Sequence, residues 1–425
     1  VMARHPTTKK ISAFVVEMSA EGVEVTHRCR FMGLTALANA VIRFTNVRVP
    51  KDNLIGGEGK GLKIALTTLN TGRLALPAAS TGTAKVSLET ARKWAKERVQ
   101  WGRPIGKHEA IAHLLADMAA TTFAMDSVSQ VASQLADRGG YDIRLEAAAA
   151  KEWNTTRCWY ILDETMHIGG GRGYEKETSL AARGERPIGV ERMFRDFRID
   201  RIFEGSSEVM HLFIAREAVD PHLQVAGSLI DPKASFFSKI AALPKMVAFY
   251  ARWYPARWIG WGAWPRYGEW GRLARHVRFL DRTTRKLGRQ IFHGMLVHQA
   301  KLQTKQAFLF RIVDIALELF AMAVTVSRAK LLLDKSDPHA KEAQDAADMF
   351  CRSSERKVRK LFHDLWANDD SQKYRFAQAV LDGQYAWFES SGSLGIDRFT
   401  AQENKPASEP VREGARVAAE GAAAR

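Results

Sequence analysis

The chain has 425 residues, 46% apolar and 26% charged, the balance of a globular protein with two or three domains. No run approaches the ~20 apolar residues that a membrane-spanning helix needs, there is no signal peptide, and three dispersed cysteines (Cys29, Cys158, Cys351) argue against a disulfide framework or a structural zinc site. The net charge of +16 is concentrated in residues 228–330, which hold 18 Lys/Arg against 5 Asp/Glu. Such a block points to an anionic partner, a phospholipid surface or a nucleic acid, unless it is simply a solvated face.

The chain opens at Val1 and enters directly into strand-like sequence, so it reads as a fragment whose start is missing. Residues 11–17 and 41–47 are rich in β-branched and aromatic side chains and are bounded by turn residues, which predicts strands. The glycine-rich loop 54–61 is not a phosphate-binding P-loop, because Lys60 is followed by Gly61 instead of Ser or Thr. From 62 to 226 the pattern is helical. Ile111, Leu114, Leu115, Met118, Thr122 and Met125 fill one helix face, Gly139 and Gly140 stop that helix, and a second long one runs over about 143–168. Strands followed by long helices predict a segregated α+β architecture with a helical bundle.

Four prolines (Pro232, Pro244, Pro255, Pro265) break the regularity of 227–275, which also holds five of the eleven tryptophans. Periodic helix resumes over 273–334 and 340–366. The final stretch, rich in Ala, Glu and Arg without large apolar groups, predicts a disordered tail.

The chemistry centres on residues 195–210. Glu204 follows Ile202 and Phe203 and precedes Gly205: an apolar flank desolvates a carboxylate and raises its pKa towards that of a general base, and the glycine lets backbone approach a ligand. The plain alternative is a helix N-terminus capped by serine. This segment closely resembles the catalytic signature of acyl-CoA dehydrogenases. Residues 97–106 resemble the family's Arg-x-Gln-Phe-Gly-x-Pro-Ile element, and residues 167–174 its Gln-x-x-Gly-Gly-x-Gly-Tyr element. Residues 69–73 resemble the entry to its helical C-terminal domain. The resemblance spans 10 to about 226, in the family's order.

The resemblance implies the following roles. Glu204 removes the pro-R α-proton of an acyl-CoA thioester while a hydride passes from the β-carbon to flavin N5. The thioester carbonyl is polarised by the Glu204 N–H and a ribityl hydroxyl of FAD. Some relatives carry the base on the helix after Leu69; the matching residue here is Gly72, which leaves the role to Glu204. Arg98, Gln100 and Trp101 match residues that hold the FAD pyrophosphate and adenine across a subunit interface. Gly170, Gly171 and Gly173 match backbone packed on the cofactor, and Ser206 and Glu208 contact its adenosine or pyrophosphate side. His167 stands where the family usually has Gln, and Glu208 where an amide is frequent. Asn70, Arg73 and Gly205 match the acyl-CoA site. Arg98 as a solvated arginine, and the glycines as an ordinary interhelical turn, remain open alternatives.

The expected fold class is α+β, mainly α. It comprises a partial β-barrel-like middle domain (1–61), an FAD- and acyl-CoA-binding four-helix bundle with the catalytic glutamate (62–226), a Trp/Arg-rich membrane-docking segment (227–275), a C-terminal helical extension forming a second bundle (276–399), and the disordered tail (400–425). The extension is similar to that of the very-long-chain branch. Phe236, Phe237, Met246, Val247 and Phe249 are candidates for a membrane-facing surface, unless the tryptophans fill the seam between bundles. The family implies acyl-CoA as substrate, FAD as cofactor, an electron-transfer flavoprotein as acceptor, and a homodimer. No metal and no nucleic-acid partner are expected. The protein would work in fatty-acid β-oxidation, in the bacterial cytoplasm with peripheral membrane association or at the mitochondrial inner membrane of a eukaryote. The alternative is a catalytically reduced relative serving as an assembly scaffold.

Overall fold

The computed structural model describes residues 1–140, 142–230, 235–259 and 267–389, apart from the side chains at 226–230, 236, 238, 239, 241 and 242. The anticipated tail, Pro232, Pro265, Trp261, Trp264 and the Phe236 side chain lie outside these residues. The chain divides into two units: Val1–Ile64 with the described residues from Asn368 on, and Ala65–Ala367.

The first unit contains β1 (Met2–Arg4), β2 (Ile11–Phe14), β3 (Val23–Arg28), β4 (Ala40–Phe44) and β5 (Leu54–Ile55). Strands β1, β2 and β5 form an antiparallel sheet in the order β1-β2-β5, and β3 pairs with β4 around a bulge between Val25 and His27. Among the described residues these strands make small open sheets and no closed barrel. Helix α1 (Gly61–Glu97) starts against β2, and a Cβ on Gly61 would fall 2.7 Å from the Ser12 backbone, so only glycine fits.

The second unit is helical. After α1 comes the two-stranded hairpin of β6 (Val99–Gln100) and β7 (Arg103–Pro104), then α2 (Glu109–Arg138) and α3 (Arg144–Gly169). Short helices α4 (Gly171–Tyr174), α5 (Glu177–Ala182) and α6 (Val190–Phe197) lead to α7 (Ser207–Ile230). Four more long helices follow: α8 (Phe236–Ile259), α9 (Ala274–His298), α10 (Gln306–Asp334) and α11 (Ala340–Asp364). Beyond this unit lie α12 (Asp370–Leu381) and α13 (Ala386–Glu389). Among the described residues no helix is long and apolar enough to cross a membrane.

Two expectations change. The region expected to be irregular holds a 24-residue helix, α8, running through Pro244 and Pro255. Each proline removes a backbone rung, at about 3 kcal/mol in a helix interior. Packing offsets this: Tyr250 and Trp253 join an aromatic cluster with His222 and Phe292, and Tyr250 Oη lies 2.9 Å from His222 Nδ1. In the other direction, the expected continuous helix over 273–334 breaks at Gln299, which adopts φ +48.

The core is continuous across the helices. Small residues such as Ala84, Ala91, Ala124 and Ala148 let α1, α2 and α3 approach closely, and α10 packs on both α2 and α11 through Ile312, Ile315, Met322 and Phe350. Several polar groups inside it are paired across helices. The Asn154 amide on α3 reaches the Pro77 carbonyl on α1 (3.3 Å) and the Met125 carbonyl (3.1 Å) and Ser129 hydroxyl (2.9 Å) on α2. Buried Glu318 on α10 accepts from Trp153 (3.3 Å) and Arg157 on α3, and from Ser354 (2.9 Å) and Lys357 (2.7 Å) on α11. Burial opposes its ionisation, but Arg157, Lys357 and Ser354 prevail and hold the carboxyl below its ordinary value.

Replacing Glu318 by Ala should cost about 3 kcal/mol of stability at neutral pH, the low end for a broken buried pair because Arg157 and Lys357 reach solvent. A depressed carboxyl contributes fully above the ordinary value of about 4.3 and loses its contribution as pH falls through the folded value. Urea unfolding of both proteins should therefore show a gap at pH 7 that closes in acid.

Candidate active site

Residues 198–210 run from the 3-10 turn Arg198–Arg201 through Glu204 (φ +55) and Gly205 (φ +105) into α7. A left-handed glutamate is uncommon and persists only where its surroundings fix it. Here two cations grip successive carbonyls. Arg73 Nε donates to the Glu204 carbonyl at 3.4 Å, and Lys151 Nζ donates to the Gly205 carbonyl at 2.7 Å. Arg73 also reaches Asn70 Oδ1 at 3.5 Å. Gly205 is required by its φ of +105, and a Cβ there would also lie 2.4 Å from Met210 Cε, the movable end of a flexible side chain.

The Glu204 carboxylate rests on bare backbone. A Cβ at Gly72 would stand 2.0 Å from Glu204 Oε2, so α1 leaves the carboxylate its place by lacking a side chain. That oxygen is buried without a hydrogen-bond partner among the described residues, and the Glu204 N–H likewise meets no acceptor among them. The turn thus offers an acceptor and a donor side by side. The expected apolar flank is not built by Ile202, which is half exposed. Charged groups that interact with Glu204 include Arg73, Lys151 and Asp200.

Beneath the turn lies a buried polar layer that sequence reading missed. Lys151 on α3 is fully buried, Asp200 and Glu152 nearly so. Burial pushes Asp200 up to about 7 against the opposing charge of Lys151, and burial likewise raises Glu152 and lowers Lys151. His211 on α7 places Nδ1 at 2.7 Å from the Ser207 carbonyl and Nε2 at 3.1 Å from Asp314, tying the start of α7 to α10. One signal was present: a Lys-Glu pair directly after four alanines, in the stretch 147–155 that is buried throughout.

Arg98, Gln100 and Trp101 sit on the β6–β7 hairpin, exposed. Its two-residue turn has Trp101 at φ +49 and Gly102 at φ +78, the primed geometry in which glycine and asparagine, not tryptophan, are favoured. His108 braces it from Nε2 to the Gln100 carbonyl (3.1 Å), and Trp101 is 89% exposed. His167 is exposed at the end of α3. Gly170 has φ +57, and a Cβ there or on Gly171 would meet nothing within 4 Å. Gly173 differs: its Cβ would strike the Met166 carbonyl at 2.4 Å, so the fold itself demands that glycine. Ser206 Oγ accepts the Val209 N–H at 3.5 Å, and the Glu208 carboxyl is held low by its own backbone N–H and by Ser206, so both residues also cap α7. The structure therefore gathers Glu204, Gly205, Arg73 and Asn70. Among the described residues no hydrogen bond joins the hairpin or the α3 glycines to Glu204, and no cluster of metal-ligating side chains occurs.

Comparison with known proteins gives a consistent family. Residues 59–219 match the model "Acyl-CoA dehydrogenase, C-terminal domain", and residues 271–382 match "ACAD9/ACADV, C-terminal domain". The chain is similar to the Mycobacterium tuberculosis protein named "Probable acyl-CoA dehydrogenase FadE10", with 52% identity over 394 residues, 92% of this chain and 61% of that protein. It is 30% identical over 397 residues to the human mitochondrial very long-chain specific acyl-CoA dehydrogenase, covering 90% of this chain and 58% of that protein. The chain thus spans about six-tenths of the length of these relatives. Among solved structures, an acyl-CoA dehydrogenase from Bacillus anthracis complexed with FAD matches with a TM-score of 0.67 over 89% of this chain and 62% of that one; at 23% identity the likeness concerns the fold. Two family domains in order, the first of them covering Glu204, together with the 52% identity, place this chain in the acyl-CoA dehydrogenase family.

Proposed function

We propose that the protein catalyses FAD-dependent α,β-dehydrogenation of a long-chain acyl-CoA to the trans-2-enoyl-CoA, with Glu204 as the α-proton base. The observation that carries this reading is the Glu204 carboxylate seated over Gly72 beside its own unengaged N–H. A thioester carbonyl on that N–H gains a hydrogen bond that strengthens as negative charge develops on its oxygen. The neighbouring carboxylate accepts the α-proton, and the electron pair left on the α-carbon closes the double bond. Removal of the β-hydrogen as a hydride is the chemistry FAD supplies when bound. Asn70, Arg73 and Gly205 shape the thioester side of the turn. Chain-length preference rests on the match of 271–382 and on the very-long-chain relative.

The residues present suit FAD. Arg98 and Gln100 offer hydrogen-bonding side chains on an exposed hairpin, and an arginine fork matches a diphosphate. Gly170 and Gly171 leave their backbone open, with His167 and Gly173 beside them, and Ser206 and Glu208 lie at the α7 N-terminus. An exposed Trp101 held in a left-handed turn suits cover by the cofactor and a second copy of the chain, hence a homodimer. Electrons would pass on to an electron-transfer flavoprotein.

Peripheral membrane association, the third element of this reading, rests on α8. Phe237, Ile240, Leu243 and Val247 recur at helical spacing and are exposed, with Trp258 and Ile259 further along. Trp253 and Phe249 instead pack on each other and Trp270 packs on the core, which supports the seam-filling alternative for these two tryptophans. Met246 is partly buried.

Three outcomes follow. Anaerobic palmitoyl-CoA should bleach the oxidised flavin band of the purified protein, and Glu204→Gln should slow bleaching by roughly 10³-fold; bound flavin that no acyl-CoA bleaches would instead favour a scaffold. Gly72→Ala should raise stability by up to about 1 kcal/mol as a helix-interior change, yet slow bleaching ~100-fold by displacing the carboxylate. Sedimentation with phosphatidylserine vesicles should be lost in a Phe237→Ser, Val247→Ser double variant with unchanged activity in detergent-free buffer.

A further inference from the structure

Lys151 is fully buried in the middle of α3. Taking an ammonium out of water is costly unless it is paired, and an apolar residue of similar volume often fills such a space at no loss of stability. The carboxylates of Glu152, Asp200 and Glu204 surround it with negative charge, while burial presses it towards its neutral form. Its one hydrogen bond among the described residues goes to the Gly205 carbonyl at 2.7 Å, across 54 residues of sequence. That carbonyl comes immediately after the left-handed Glu204–Gly205 pair. Glycine rotates more freely than any other residue, so a Gly205 peptide without a tether would let the turn relax and carry Glu204 with it. Arg73 holds the preceding carbonyl at a longer 3.4 Å.

We infer that Lys151 is a positioning residue for the base: by holding the Gly205 carbonyl it keeps Glu204 left-handed, with its carboxylate over Gly72 and its N–H unengaged. This rests on the assignment of Glu204 under the proposed function. Lys151 acts through the turn and touches none of the reacting atoms. Its contribution therefore belongs to the rate of proton removal and not to substrate affinity.

The test compares wild type with Lys151→Met, which keeps length but removes donor and charge, and Lys151→Arg, which keeps both. Two readouts are taken: anaerobic flavin reduction by palmitoyl-CoA as a function of its concentration, and amide hydrogen exchange without substrate. Lys151→Met should lower the limiting reduction rate ~100-fold and leave the half-saturating concentration within about twofold. Exchange over residues 203–209 should rise about tenfold while α3 is unchanged, and Lys151→Arg should recover most of the rate. Rates and exchange in Lys151→Met within about twofold of wild type would overturn the inference. So would loosening of α3 together with the turn and no recovery by arginine, since that marks a residue needed only for packing. If Lys151→Met does not fold, Lys151→Leu, which also lacks donor and charge, carries the same comparison. Wild type that palmitoyl-CoA fails to reduce would sink the proposed function, while the exchange comparison would still decide whether Lys151 holds the turn.

Discussion

Everything at the site depends on holding one unfavourable backbone conformation. A glutamate at φ +55 followed by a glycine at φ +105 is not a shape the chain adopts unaided. It is imposed from two sides, by a guanidinium on α1 and an ammonium on α3, each on its own carbonyl. The same helix that supplies Arg73 supplies the side-chain-free position at Gly72 where the carboxylate rests. Local strain, a missing Cβ, a buried ammonium and a partly buried guanidinium are thus parts of one device, and none of them has an obvious purpose alone.

The surrounding helices explain how such a device is kept in register. Alanine-lined contacts bring α1, α2 and α3 close, so the backbone of α1 and the lysine of α3 can both reach the loop before α7. Asn154 fixes α3 against α1 at the Pro77 carbonyl, and His211 fixes the first turn of α7 against α10 through Asp314. Glu318 joins α3, α10 and α11 at a single carboxylate. These buried polar links add little net stability compared with apolar packing. We read them as specifying one arrangement among several that a small-residue helical core would tolerate.

Much of this was readable in the sequence, for identifiable reasons. Periodicity located the long helices, because a one-sided apolar stripe is a local property. The cluster of Glu204, Gly205, Arg73 and Asn70 spans 131 residues of chain between Arg73 and Glu204, and it was reached through family resemblance instead of local pattern. Lys151 and Asp200 were missed because a buried charge looks like a surface charge until its neighbours are known. Pro244 and Pro255 misled for the opposite reason: their local cost is real, but the packing of Tyr250 and Trp253 outweighs it. Adjacency in sequence likewise did not make the half-exposed Ile202 part of the wall around the Glu204 carboxylate.

The most direct check of the account is proton removal itself. An acyl-CoA deuterated at the α-carbon, with sulfur in place of the β-carbon so that no β-hydride can leave, would be incubated with the protein, and loss of deuterium to water followed by mass spectrometry. The account predicts rapid loss with wild type and roughly 10³-fold slower loss with Glu204→Gln at equal flavin content. Equal rates in the two proteins would contradict it, by showing that another group takes the proton.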